Sequence, residues 1–198
     1  MRVVEYIPFP DKKYQIIYAD PPWNGLGWNN GSGRKAPARH YSVQGLEWIK
    51  ALPVQEIAQE TCALFIWVTF PNLEAGLEVI GAWGFNYATC AFTWVKRNKK
   101  SDGWFMGCGN YTRANAELCL LGTKGNCQKM RQSRSVRQVC DARIGKHSQK
   151  PPEIRARIVD LFGDVPRIEL FAREAVDGWD AWGDELPGGG VEEYCTQY

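Results

Sequence analysis

An acid, two prolines and an indole follow one another as Asp20-Pro21-Pro22-Trp23, directly after the apolar run 14–19. A carboxylate and proline carbonyls are acceptors, and proline carries no amide hydrogen of its own to compete for them. Asp20 and the Pro21 carbonyl could therefore each accept one hydrogen of the exocyclic amino group of a flat heterocycle such as adenine. Trp23 would stack on its ring. The plainer alternative is an Asp-Pro-Pro turn that ends a strand, with Trp23 as core. Asp-Pro alone favours the turn, whereas all four residues together at the exit of a buried strand favour the chemical reading.

A second source of chemistry is charge. The formal net charge is only +2, but residues 93–150 hold 13 Lys or Arg against 3 Asp or Glu. Residues 151–198 reverse this, with 4 against 11. A basic middle on a near-neutral chain implies a localised polyanion-binding face. Lys96 to Lys100 also read as a solvated loop. Lys124, Lys129, Arg131, Arg134, Arg137, Arg143, Lys146 and Lys150, with Asp141 as the single acid among them, are harder to explain that way. The 7 cysteines form no CxxC pair, so reduced and mostly buried thiols are expected. Cys108, Cys119, Cys127, Cys140 and His147 are spaced too irregularly for a zinc knuckle, and no metal is expected.

The elements that must position these groups alternate in type. Residues 14–19 and 62–68 read as buried strands, the first stopped by Pro21. Pro71 opens a helix with Leu73, Leu77 and Ile80 on one face, closed by Gly84. Residues 85–95 and 116–121 return as strands. Pro151-Pro152 begin a second helix with Ile154, Ile158, Leu161 and Phe162 on one side and Gly163 as its stop, and 167–172 is the final strand. Such alternation predicts an α/β sheet with helices on both faces, whose ligands sit at the carboxyl ends of the strands. Asp20 and Arg173 both follow strands and are expected to face one crevice. The Gly- and Asn-rich stretch 24–35 is expected to be a long loop, either a lid over substrate or disordered. The expected organisation is one domain, 1–186, with 97–147 as a basic substrate-recognition insertion and 187–198 as a flexible tail. Hydrophobic residues at 44% and aromatics at 13% exclude a disordered chain. No apolar run is long enough to span a membrane and residues 1–6 carry no signal-peptide core, so a cytoplasmic protein is expected.

With these residues in view, the chain resembles the adenine-N6 methyltransferase family with a DPPW motif, which includes the eukaryotic messenger-RNA enzyme and bacterial and phage DNA enzymes. The likeness runs from about residue 14 to 186. It is carried by 13–23, 64–69, Trp83-Gly84-Phe85, Trp94-Val95-Lys96, 117–126, 147–153 and 168–173. It implies a Rossmann-like fold with a mostly parallel mixed sheet, permuted motif order and S-adenosylmethionine as methyl donor. Phe171-Ala172-Arg173-Glu174 stands where many DNA enzymes of the family have a glycine turn, a departure that the messenger-RNA branch shares.

By position, the resemblance assigns catalysis to Asp20, Pro21, Pro22 and Trp23. It places Asp20, Lys150, Phe171, Arg173, Asp184 and Glu185 at the cofactor, and Tyr41 and Glu117 near the target adenosine. The basic run adds Lys129, Arg131 and Arg134 as substrate contacts. Each has an ordinary alternative: Lys150 a solvated helix entry, Arg173 and Glu185 a surface pair, Phe171 and Tyr41 packing, Glu117 a strand start facing water. The implied function is methyl transfer to the N6 amino group of adenine in DNA, single-stranded or with the base flipped out. An RNA adenosine methyltransferase and a non-catalytic nucleic-acid-binding partner are the alternatives. The chain is expected to work as a monomer or homodimer.

Overall fold

The computed structural model describes residues 7–23, 45–109, 111–146, 149–186 and 190–192. Tyr41, His147 and the 24–35 stretch lie outside these. Eight strands form one sheet: β1 (Tyr14–Ala19), β2 (Ala58–Val68), β3 (Asn86–Arg97), β4 (Ala116–Lys124), β5 (Val139–Arg143), β6 (Arg167–Leu170), β7 (Asp180–Gly183) and β8 (Gly190–Glu192). Their spatial order is β5-β3-β4-β2-β1-β6-β7-β8. β1 pairs in parallel with β2 on one side and β6 on the other. β4 runs antiparallel to both of its neighbours, β2 and β3, and β8 runs antiparallel to β7. All the other strands point the same way, so the sheet is mixed and mostly parallel, as expected.

β1 is apolar but for Gln15 because both of its faces are covered. Ile17 and Ala19 enter a core with α1 (Leu46–Ala51), α2 (Val54–Ile57) and α3 (Leu73–Ala82), while Ile16 and Tyr18 enter a second core under α4 (Glu153–Phe162). The chain leaves β1 toward β2 and later returns on β1's other side as β6. That reversal makes the carboxyl end of β1 the sheet's topological switch point, where a crevice opens between diverging connections. Asp20 is the next residue.

Several expectations change. α3 buries Ala75, Gly76, Val79 and Ile80, whereas Leu77 is 37% exposed. The close approach of α3 to β2, where a Cβ on Gly76 would lie 2.4 Å from Val68, sets this rotation. α4 follows the expected face, and Gly163 ends it at φ 84. The final strand stops at Leu170 rather than 172, because Phe171 turns into the left-handed region at φ 61. β7 and β8 come after it, and β8 falls inside the stretch read as a tail. Residues 97–147, expected as an insertion containing one strand, supply β4 near the sheet centre and β5 at its edge. Among the described residues, no helix is long and apolar enough to cross a membrane.

Candidate active site at the carboxyl end of the central strands

Asp20 leaves β1 beside a carbonyl that is less open than the prolines suggested. The Trp23 amide donates to the Pro21 carbonyl at 2.8 Å, closing a three-residue turn. One acceptor direction is thus taken, and a carbonyl has two. The Trp23 indole donates from Nε1 to the Trp67 carbonyl at the end of β2, 2.8 Å away. Trp23 is half-buried and packs against the α1–α3 core, so it is both core and wall. Its ring orientation is fixed by these two contacts.

The acid itself is ion-paired. Lys150 Nζ donates to Asp20 Oδ2 at 2.6 Å and lies 3.5 Å from Glu117 Oε2. Lys96 Nζ donates to the other oxygen of that carboxylate, Glu117 Oε1. Asp20, Lys150, Glu117 and Lys96 therefore form an array of alternating charge, with side chains only 22%, 11%, 14% and 17% exposed. Lys150 and Glu117 are accordingly neither a solvated helix entry nor a water-facing strand start.

Burial, only partly offset by Lys150, raises the Asp20 carboxyl above its ordinary range. Burial also works on Glu117, but there the charges of Lys150 and Lys96 outweigh it and hold the carboxyl below its usual range. Burial disfavours the Lys150 charge, yet Asp20 and Glu117 together keep its ammonium above the ordinary value. The array is thus built to keep Lys150 charged and Glu117 ionised, with Asp20 the acid nearest to changing state.

Around the crevice, Phe171 rests edge-on against Trp182 at 5.4 Å and tilted against Trp48 at 6.5 Å. Its left-handed backbone makes the turn that a glycine would otherwise supply, at some conformational strain. Gly183 allows β7 to pass closely, since a Cβ there would fall 2.3 Å from the Ala172 carbonyl. Arg173 Nε approaches Glu185 Oε1 at 3.5 Å, both partly exposed, so the alternative of a surface pair holds for these two side chains. Asp184 is exposed beside them. Phe171, Arg173, Asp184 and Glu185 all follow the carboxyl ends of β6 or β7, the same end as Asp20.

Lys129, Arg131 and Arg134 do not reach this end. β4 starts at the array with Glu117 and runs down to Lys124, which pairs with Cys62 near the start of β2. Cys127, in the 3-10 turn that follows, donates to the Cys62 carbonyl, and the Gln132 amide to Leu161 near the end of α4. From Cys62 to Val68 is six strand steps, about 20 Å. The basic run is split between two ends of the sheet because β4 and β5 carry it down and back. Lys96, Arg97, Arg113, Arg143 and Lys146 lie at or near the Asp20 end.

Lys96 was missed as a member of the site. The signal was present, since alternation along β3 puts it on the face of buried Trp94. The buried thiols offer no nucleophile. Burial pushes Cys62 up to about 12 and Cys140 up to about 12, which keeps both protonated. Among the described residues, no cluster of His, Cys, Asp and Glu could hold a metal ion.

Comparison with known proteins bears on this geometry. Residues 14–185 match the model of the family described as MT-A70. The chain is 35% identical to Type II methyltransferase M.MunI from Mycoplasma sp, over 92% of this chain and 82% of that protein. It is 30% identical to N(6)-adenosine-methyltransferase catalytic subunit METTL3 from Homo sapiens, over 89% of this chain but only 29% of that one. With N(6)-adenosine-methyltransferase MT-A70-like from Arabidopsis thaliana the identity is 29%, over 88% of this chain and 24% of the other. The chain thus spans less than a third of these eukaryotic relatives.

Proposed function

Since the chain belongs to the MT-A70 family and is a methyltransferase, we propose that it transfers a methyl group from S-adenosylmethionine to the exocyclic N6 amino group of an adenine in DNA. The observation that carries this reading is the Asp20 carboxylate at the switch point of the sheet, beside the Pro21 carbonyl and held by Lys150. The match to a type II methyltransferase over most of that protein's length favours DNA. The relatives named for N6-adenosine keep RNA as the second reading. An intact acid array speaks against a non-catalytic partner.

The crevice suits the proposed donor chemically. Phe171 offers a ring face for a flat base, Arg173, Asp184 and Glu185 offer donors and acceptors for ribose hydroxyls, and Lys150 offers positive charge for a carboxylate. S-adenosylmethionine, when bound, supplies an electrophilic methyl on a sulfonium. Asp20 and the second lone pair of the Pro21 carbonyl would accept the two amino hydrogens of adenine. This draws the nitrogen toward tetrahedral geometry and exposes a lone pair otherwise delocalised into the ring. Trp23, pinned through its indole to β2, supports the base that has left its stack. Positioning supplies much of the rate, since well-oriented groups can contribute about 7–11 kcal/mol. The acceptors also stabilise positive charge developing on nitrogen. No covalent enzyme intermediate is needed, and the proton lost by the alkylated nitrogen passes to Asp20 or to water.

The test is to incubate the purified protein with labelled methyl donor and duplex DNA, single-stranded DNA or RNA, then identify the modified nucleoside by mass spectrometry. N6-methyldeoxyadenosine, lost in Asp20→Asn, is the expected product. Label in RNA alone would transfer the assignment to the second reading, and an unimpaired Asp20→Asn enzyme would refute the amino-group clamp.

A further inference from the structure

We propose that Lys96 is a positioning residue for this reaction, pinning Glu117 so that Lys150 has a second carboxylate to turn to when Asp20 takes up the adenine amino group. The inference rests on Asp20 as the amino acceptor. In the structure Lys150 is shared unequally, 2.6 Å from Asp20 and 3.5 Å from Glu117. An acid already paired to an ammonium is a poor acceptor for a neutral amine. Releasing it would ordinarily strand a nearly buried ammonium, which is strongly unfavourable. Closing the longer contact to ordinary ion-pair distance needs a shift of about 1 Å. Lys150 then stays neutralised, and no proton moves.

Glu117 can receive Lys150 only if it stays ionised and aimed. Lys96 does both by holding Oε1, which leaves Oε2 turned toward Lys150. The floor beneath is rigid. Lys96 Nζ lies 4.9 Å over the Trp94 ring and Lys150 Nζ 5.7 Å over the Trp67 ring. These two indoles meet edge to face at 6.4 Å. Trp67 Nε1 donates to the Tyr18 hydroxyl at 2.6 Å and Trp94 Nε1 to the Ala142 carbonyl at 3.0 Å, so neither ring can swing away. Pairing of β3 with β4 does not depend on the Lys96–Glu117 contact, because the backbone ladder runs from Asn86 to Val95. Among the described residues, the charged and titratable groups that bear on the two acids are Lys96 on β3, Lys150 before α4, Glu169 on β6 and Arg173 after it, with Cys119 on β4 nearby.

Lys96→Met and Lys96→Arg are compared with wild type, with Lys96→Gln used if the Met variant does not fold. Lys96→Met should lower kcat about tenfold to a hundredfold, the scale of a small misplacement of reacting groups. KM for the methyl donor should stay within about twofold, and the acid limb of the rate profile should move to higher pH. In substrate-free protein, carbon-13 NMR should show Glu117 titrating at higher pH in Lys96→Met, and Lys96→Arg should restore both the titration and most of kcat. An unchanged kcat or an unchanged Glu117 titration in Lys96→Met overturns the proposal, as does a lost kcat that Arg fails to restore. Failure of wild type to methylate DNA would refute the functional reading instead. The Glu117 titration would still report whether Lys96 holds that acid.

Discussion

Neutralising cations at one end of the sheet and then at the other should show, on the proposed reading, which face meets DNA. Lys100, Arg113 and Lys146 are exposed near the Asp20 end, whereas Lys129, Arg131 and Arg134 are exposed about 20 Å away, at the level of Cys62. Each phosphate neutralised on duplex DNA contributes about 0.9 to the slope of log affinity against log salt. If all three near-end residues meet phosphates, changing them together to Gln should flatten the slope by about 2.7. Over a fourfold salt range, about 50 to 200 mM, that is about fortyfold less affinity lost to salt. The matching far-end triple should change the slope by less than about one. Fluorescence anisotropy with a labelled duplex at several salt concentrations reads both directly. A slope flattened by the far-end triple and untouched by the near-end one would mean that DNA lies on the amino-terminal side of the sheet. The base could then not reach Asp20.

Other outcomes follow from single contacts. Because burial raises the Asp20 carboxyl, protonation at low pH should remove an acceptor earlier than for an ordinary aspartate, so kcat should fall with pH before the usual Asp range is reached. A profile flat down to that range would contradict an essential ionised Asp20. Arg155 forks onto Glu169 through Nε at 2.6 Å and a terminal nitrogen at 2.9 Å, tying α4 to β6. Arg155→Met should cost about 3 kcal/mol of stability in urea titration by stranding a buried carboxylate, and a loss below about 1 kcal/mol would show the pair to be solvated. Gly183→Ala should weaken methyl-donor binding in calorimetry, because the new methyl must displace the Ala172 carbonyl at the crevice wall. Unaltered binding would show that this wall does not line the donor site.

The elements most legible in the sequence are those buried on both faces, since Ile16–Ala19 of β1 and Cys62–Val68 of β2 are buried apolar runs ended by Asp20 and Thr69, whereas the polar start of β2, Gln59 to Thr61, was not read as strand. β5 was illegible because it is an edge strand, and Val139, Asp141 and Arg143 face water there. The short helices α1 and α2 bury only Ile49, Val54 and Ile57 among polar neighbours, too few residues for a helical period to emerge. Asp20, Lys150 and Glu117 were legible as a set through family resemblance. Their ion pairing depends on strand order, which spacing along one chain does not encode. The turn that engages the Pro21 carbonyl and the split of the basic run were hidden for the same reason.

The hairpin between β3 and β4 can change in length without disturbing the sheet. Its stem is clamped where the Lys96 amide meets the Asn115 carbonyl and Trp94 sits opposite Glu117, and residues 98–109 and 111–114 lie beyond that clamp. Lengthening a surface excursion closed at a fixed neck costs only about 0.6 kcal/mol per doubling of its length. Outer segments of different length can thus sit on the same neck while the charged array beneath it keeps its geometry.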